Sequence, residues 1–434
     1  MSDDTNAYAA SEARTTMPAD AQVDEGHEPA GTPVRSLLFI SYEESSSHNG
    51  LNTRMRGIAR ALAARGEHVE IASPLYGGRA RVAVTSGGIR VHMIPVPDVL
   101  STWRIPIVSR ALSVICLTVC MVRQLRKSDT RFAWVQAEQI YPFLAAHLLA
   151  RKWRAKVLLD DPSLLGLFVK EKLKRRRILR PLVRRVVEMF ETLLFNRADC
   201  ILCSSNRQAG EIARRVRGGM ARVRRLGNGV DLAEFDVTSH GGTGNRIFFN
   251  CSLPYYQNAA ALRNLLKVFS HFEEQGFRDY SALVVVNDAA AIPHDLVAAI
   301  GSNRKVRLLA NQPSIVFLLQ SCDFVLLPYE AGHTTTAGPR LKVFEALACG
   351  KIVLSTKEGL DEVVGCVDGT NVVVCSDWLD MARKTMALIQ EGDSPRKRMI
   401  REEARRFVET EYSWTRLVNA YDGIMEASSV KCEV

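Results

Sequence analysis

The sequence predicts an α/β protein of two doubly wound parallel sheets in series, facing one another across a cleft. Three observations carry this. Short apolar runs of strand length alternate with amphipathic runs of helical length from residue 36 to residue 390. A Gly/Ser/Thr-rich connection at 239–245 divides the alternation into two series. The chain has 434 residues, too many for one ordinary domain, and its 47% hydrophobic and 24% charged residues are globular proportions.

The first series opens at 36–42, a continuous apolar run of the kind buried on both faces of a parallel sheet. After a turn at 43–50, Met55, Ile58 and Leu62 recur at helical spacing, with Arg54, Arg60 and Arg65 outside that stripe. Gly66 marks the helix end and 68–72 is the next strand, completing a βαβ unit with a right-handed crossover. Strands at 132–135, 156–159 and 200–203 and helices at 105–125, 141–152, 179–196 and 206–216 continue to 222–226. The second series reads as strands at 247–251, 282–286, 306–309, 323–327, 352–355 and 372–374. Its helices fall at 259–272, 314–320, 339–349 and 378–390. A last helical stretch, 395–425, is long enough to bridge both domains. The expected division is an acidic tail at 1–33, Rossmann-like domains at 34–238 and 239–410, and a terminal helix at 411–434 returning to the first domain.

The net charge of +10 is uneven. The first 33 residues hold seven acidic side chains against Arg14 alone, a balance of −6, so the remainder carries +16. That tail lacks apolar periodicity and reads as disordered, and it lacks the basic and apolar regions of a signal peptide. The longest apolar stretch, 105–122, contains Arg110 and three further polar residues, and reads as a buried helix rather than a membrane span. Ten cysteines sit largely in apolar runs, as thiols do in a reducing compartment. Cys200 and Cys203 lie inside a strand-like run with no second pair at zinc-site spacing, so no metal is expected.

The strongest chemical signal lies at 328–356. Pro339 suits a first helical position and Gly350 the residue after the last. Lys342 and Glu345 share one helical face while Leu341, Phe344 and Leu347 cover another, which leaves the charged pair for the cleft. A carboxylate can accept both hydroxyls of a ribose, and an ammonium beside a helix N-terminus can hold a diphosphate. Spacing alone leaves a solvated Lys–Glu pair equally open.

Here the chain resembles the retaining GT-B glycosyltransferases of family 4. The resemblance covers roughly 34–425 in order. It rests on 338–356, on the loop at 41–50, on the strand at 321–328, and on Asn228-Gly229-Val230-Asp231. It implies transfer of a hexose-type sugar from a UDP- or GDP-sugar, with retention, to a lipid-linked or saccharide acceptor, with no further cofactor. Glu345 is then expected to hold the ribose hydroxyls and Lys342 to lie near the diphosphate. Arg340 and Gly338 belong to the same donor segment. Gly50, with Asn49, would let backbone amides approach the phosphates, and an ordinary turn glycine is the alternative. Two departures stand out. Ala337 occupies the position of the family's usual first Glu, and the usual Arg…Lys pair is replaced by a segment ending Tyr255-Tyr256-Gln257-Asn258, in which Asn258 is the donor-side candidate. Ala337 keeps a nucleotide-sugar-binding pseudoenzyme open, and a GT-B sugar epimerase is a further alternative.

On the acceptor side the family places a His or Asp after the strand ending at Leu159, where this chain has Asp160-Asp161-Pro162. Asp161 is the candidate for the general base or acceptor contact, and a turn aspartate before Pro162 is nearly as well supported. His48 and His333 are weaker candidates. Nine Lys and Arg side chains fall between Lys170 and Arg185, interleaved with apolar residues. That pattern suits an anionic membrane surface, and Trp103, Ile105 and Ile107 could add insertion. A solvated helix face is the alternative. No nucleic-acid reader motif is present. The chain is thus expected in the cytoplasm, peripherally on the inner face of a membrane.

Overall fold

The computed structural model describes residues 35–44, 50–76, 78–97, 106–128, 130–160, 164–165, 179–237, 245–253, 256–287, 292–330 and 338–427. The acidic tail, most of the 239–245 linker and the basic run at 170–178 lie outside them.

The first lobe begins with β1 (Ser36–Ile40), α1 (Gly50–Ala64), β2 (His68–Tyr76), β3 (Arg81–Val84) and β4 (Arg90–Val96). It continues through α2 (Pro106–Leu125), β5 (Trp134–Glu138), α3 (Phe143–Trp153) and β6 (Lys156–Asp160). It closes with α4 (Leu179–Phe195), β7 (Cys200–Cys203), α5 (Asn206–Ala213) and β8 (Val223–Arg225). The strands form one sheet in the order β3-β4-β2-β1-β5-β6-β7-β8, in which β3 alone runs antiparallel to its neighbour. In β1, Leu38 and Ile40 enter the core on one face of the sheet and Leu37 and Phe39 the core on the other. A strand whose two faces are both covered reads as an unbroken apolar run, which is why 36–42 was legible.

Two strands and one helix here are not among those the sequence predicts. β3 is short, and every residue but Ala83 is exposed, so it has no apolar run to betray it. β4 carries His92 and Pro95 inside its pattern. The helix lies in the second lobe, which runs β9 (Arg246–Cys251), α6 (Tyr256–Glu274), β10 (Ser281–Val286), α7 (His294–Ser302) and β11 (Val306–Ala310). α8 (Val316–Gln320), β12 (Phe324–Leu327), α9 (Leu341–Ala348), β13 (Ile352–Thr356), β14 (Val373–Cys375) and α10 (Trp378–Gln390) complete it. The unexpected helix is α7, which buries only Leu296 and Ile300 and so shows almost no periodicity. The second sheet is wholly parallel, in the order β11-β10-β9-β12-β13-β14.

Each sheet has one strand where the order of growth reverses: β1 lies between β2 and β5, and β9 lies between β10 and β12. Beyond the carboxyl ends of such strands the flanking connections diverge and leave a crevice, the usual ligand position in open α/β sheets.

The terminal stretch is three helices, not one: α11 (Pro395–Glu411), α12 (Trp414–Leu417) and α13 (Asn419–Ala427). The break comes where the chain crosses between lobes. Val230 N–H donates to Tyr412 O at 2.8 Å, and Trp414 N–H donates to Val230 O at 3.2 Å. Before the break, Ile400, Ala404 and Val408 pack into the second lobe's core. After it, Trp414, Val418 and Tyr421 pack into the first lobe's. Gly57 of α1 makes room for the indole, since a Cβ there would lie 2.2 Å from Trp414 Nε1. Gly57→Ala should therefore destabilise the protein by about 2–3 kcal/mol through overpacking. Chemical denaturation checks it, and an unchanged midpoint would contradict the close approach.

Candidate functional site

The site is built around α9. Arg340 has extended backbone and caps the helix, so α9 begins two residues later than the sequence pattern predicts and Pro339 precedes it. At the other end Gly350 takes φ +62° and its N–H donates to Leu347 O, the left-handed closure expected of a glycine. Val343, Phe344 and Leu347 are buried in the second lobe's core, while Leu341 reaches across to pack against the first lobe's.

Lys342 leans over the switch point of the second sheet. Its Nζ donates to Asn250 O at 2.5 Å, at the end of β9, and to Tyr329 Oη at 3.0 Å, just beyond β12. Tyr329 Oη donates to Asn258 Oδ1 at 2.8 Å, and Asn258 Nδ2 donates to Ser252 O at 2.7 Å. Thr356 Oγ1 fixes the Tyr329 carbonyl at 2.8 Å. The Arg340 guanidinium carbon sits 3.9 Å from the Tyr329 ring centroid, and Nη1 donates to Glu358 O at 2.6 Å. Two cations are thus gathered on one aromatic ring beyond β9 and β12. Asn258 positions Tyr329; its own amide is occupied within the protein.

Glu345 is 9% exposed and makes no side-chain hydrogen bond or ion pair among the described residues. Burial pushes its carboxyl up to about 7, with Lys342 pulling downward and Glu234 pushing further up. A simple surface Lys–Glu pair does not form, because Lys342 is spent on Asn250 and Tyr329 and Glu345 is only 9% exposed.

The helix N-termini of the two lobes meet beside it. Gly50 is the first residue of α1, and a Cβ there would lie 3.4 Å from Cδ1 of Leu341, the first residue of α9. Both N-terminal partial positive charges therefore fall on one region, which favours an anion. Gly338 has a different neighbour: a Cβ there would lie 2.3 Å from that of Ser204, just after β7, so glycine at this position lets the lobes touch.

The first lobe contributes a feature that the sequence pattern misplaces. Arg54 was expected outside the buried stripe of α1, but it is 2% exposed. Its Nη2 and Nε donate to Asp160 Oδ1 and Oδ2 at 2.8 and 3.0 Å. Its Nη1 donates to Gly227 O at 2.8 Å and Asn228 Oδ1 at 3.0 Å. Asn228 Nδ2 in turn donates to Pro339 O at 2.7 Å, just ahead of α9. A continuous polar chain thus runs from the end of β6 to the start of α9. Asn228 lies in a motif legible in the sequence; Arg54 has no local signal, because its partner is 106 residues away. Of the other expected residues, His48, Asn49, Asp161, His333 and Ala337 lie outside the described ones. Arg54→Ala would strand Asp160 in the core and should cost about 3–5 kcal/mol in denaturation experiments. A loss under about 1 kcal/mol would show the pair to be incidental.

Two family models match in succession, a glycosyl transferase 4-like domain over 49–229 and glycosyl transferases group 1 over 244–391, together about three quarters of the chain. Anabaena HepE bound to UDP and glucose is 13% identical with a TM-score of 0.61, covering 91% of this chain and 100% of its own. The catalytic domain of starch synthase IV from Arabidopsis thaliana, bound to ADP and acarbose, is 12% identical with a TM-score of 0.65, over 91% and 100%. WaaG, a glycosyltransferase involved in lipopolysaccharide biosynthesis, is 15% identical with a TM-score of 0.61, over 89% and 99%. No curated protein matches the chain by sequence. With twin parallel sheets and both domain models in order, the chain belongs to the GT-B glycosyltransferases, a 4-like domain followed by a group 1 domain.

Proposed function

We propose that this glycosyltransferase moves a hexose-type sugar from UDP or GDP to a lipid-linked or saccharide acceptor, with retention of configuration, at the inner face of a membrane. The observation that carries the donor reading is Glu345, a buried carboxyl with no partner among the described residues, one helical turn from Lys342 beyond β9 and β12. Glu345 accepts the ribose hydroxyls. Lys342, Arg340 and the facing N-termini of α1 and α9 stabilise charge on the departing diphosphate, in a crevice where few water dipoles compete. HepE and starch synthase IV, bound to UDP and ADP, agree with a nucleotide here. Retention is supported by the family resemblance alone. Among the described residues no cluster of three or more His, Cys, Asp or Glu is placed to hold a metal ion.

The acceptor reading rests on the first lobe's surface. α4 exposes Leu182, Val186, Met189, Phe190 and Leu193, each more than half accessible and spaced along one helical stripe. Arg185 borders it on one side, Arg184 lies on the opposite face paired with Glu188, and the remaining basic residues from Lys170 onward precede it in sequence. An apolar stripe edged by a cation lies naturally at a headgroup boundary, where a lipid-linked acceptor would be met. No described helix is long and apolar enough to cross a membrane.

Incubation with UDP-glucose, GDP-mannose and related donors should release free nucleoside diphosphate slowly from one of them; binding of a donor with no turnover would overturn the transferase reading for this chain. Glu345→Ala should weaken that donor's affinity by about 3 kcal/mol, roughly 100-fold, as charged hydrogen bonds are lost. Because the accepting form is the carboxylate, wild-type affinity should rise as pH climbs through about 7 and level off above it, and Glu345→Gln should flatten the profile. Calorimetry that finds Glu345→Ala unchanged would remove the residue from this role. For the membrane, replacing Met189 and Phe190 by Ser should cut partitioning to phosphatidylserine vesicles, and neutralising Arg175, Arg176 and Arg177 should reduce it in a salt-dependent way. Equal partitioning of all three proteins would leave α4 a plain surface helix.

A further inference from the structure

Glu138 ends β5, the strand beside β1 at the first sheet's own switch point. It is 4% exposed, and its Oε1 has no hydrogen-bond partner among the described residues. It stands in register with Asp160 on the adjacent strand β6, so the two side chains lie side by side on one face. The groups facing it are Ser41 and Glu43 after β1, Asp160 on β6 and Arg54 on α1. Two of these are acidic, and the single cation gives three hydrogen bonds to Asp160.

The environment thus divides two neighbouring carboxyls into different states. Asp160 is compensated by Arg54, which gives it three hydrogen bonds. Glu138 has no ion-pair partner among the described residues; burial, reinforced by Asp160 and Glu43 and opposed by a Ser41 hydrogen bond and by Arg54, pushes it up to about 8. At neutral pH such a group is a carboxylic acid: it has an O–H to give as well as an oxygen to accept with. A residue serving only the core would be apolar or fully partnered, since an orphaned buried polar atom costs stability. This one sits at the carboxyl edge of the sheet, where ligands of the fold enter.

We propose that Glu138 is a sugar-binding residue of the first lobe, its carboxyl group donating a hydrogen bond to a hydroxyl of the acceptor or of the transferred hexose. The proposal rests on the nucleotide-sugar reading above. Infrared difference spectra of wild type and Glu138→Gln at neutral pH test it. They are recorded alone, with UDP-glucose or GDP-mannose, and with UDP or GDP plus free glucose. A protonated-carboxyl C=O band present in wild type and absent from Glu138→Gln is expected, and sugar should shift it. A shift with the nucleotide sugars alone assigns the contact to the donor; a shift that needs free glucose assigns it to the acceptor. Donor turnover should fall about tenfold in Glu138→Leu and stay within about threefold of wild type in Glu138→Gln, whose amide still donates. Both variants should keep wild-type affinity for UDP or GDP, which separates this residue from Glu345. The proposal is overturned if no such band exists, or if no sugar moves it in protein that binds nucleotide. A band moved by glucose in protein that binds no nucleotide would keep the proposal and sink the wider reading.

Discussion

The site depends on a buried guanidinium. Arg54 and Asp160 are both nearly inaccessible, with side chains 3% and 1% exposed, and a pair this deep recovers its desolvation cost only when its geometry is close to ideal. Here the fork is bidentate on Asp160, and the remaining bonds go to the Gly227 carbonyl and the Asn228 amide. That arrangement holds three otherwise separate parts of the chain together: the end of β6, the middle of α1, and the loop before the second lobe. Asn228 then reaches Pro339 and fixes where α9 can start. Helix α9 is therefore positioned from the first lobe as well as from its own sheet.

Around that pin the charges are sorted by whether they already have partners. Lys342 is committed to Asn250 and Tyr329, and Arg340 to Glu358 and the Tyr329 ring. Such commitments hold cationic side chains still, so little entropy remains to be lost when an anion arrives. Glu345 is the opposite case, a buried carboxyl with no hydrogen-bond donor among the described residues and only the nearby charge of Lys342 to offset its burial. Glu138 repeats the pattern at the switch point of the other sheet. Each lobe thus holds a buried acid whose carboxyl is pushed up by burial.

Much of this was legible in the sequence because it is local. Strands buried on both faces announce themselves as apolar runs, and Lys342 and Glu345 share a face by helical spacing alone. Gly350 closes α9 where a glycine was needed. What failed was tertiary. Arg54 looks like a solvent-side residue of an amphipathic helix until Asp160 arrives from a distant strand. Exposed β3 and the weakly periodic α7 lack an apolar signature. The break at Tyr412 and Ser413 is imposed by Val230 from another part of the chain. Glu138 drew no notice, since nothing local distinguishes a strand-terminal glutamate that loses its water from one that keeps it.

The central claim is that the crevice beyond β9 and β12 receives a nucleoside-diphosphate sugar with its ribose on Glu345. A crystal structure with a bound UDP- or GDP-hexose measures this most directly. The account predicts both ribose hydroxyls within hydrogen-bond distance of the Glu345 carboxylate and the diphosphate between Lys342 and the facing N-termini of α1 and α9. A nucleotide bound elsewhere, with Glu345 still unpartnered, would contradict it.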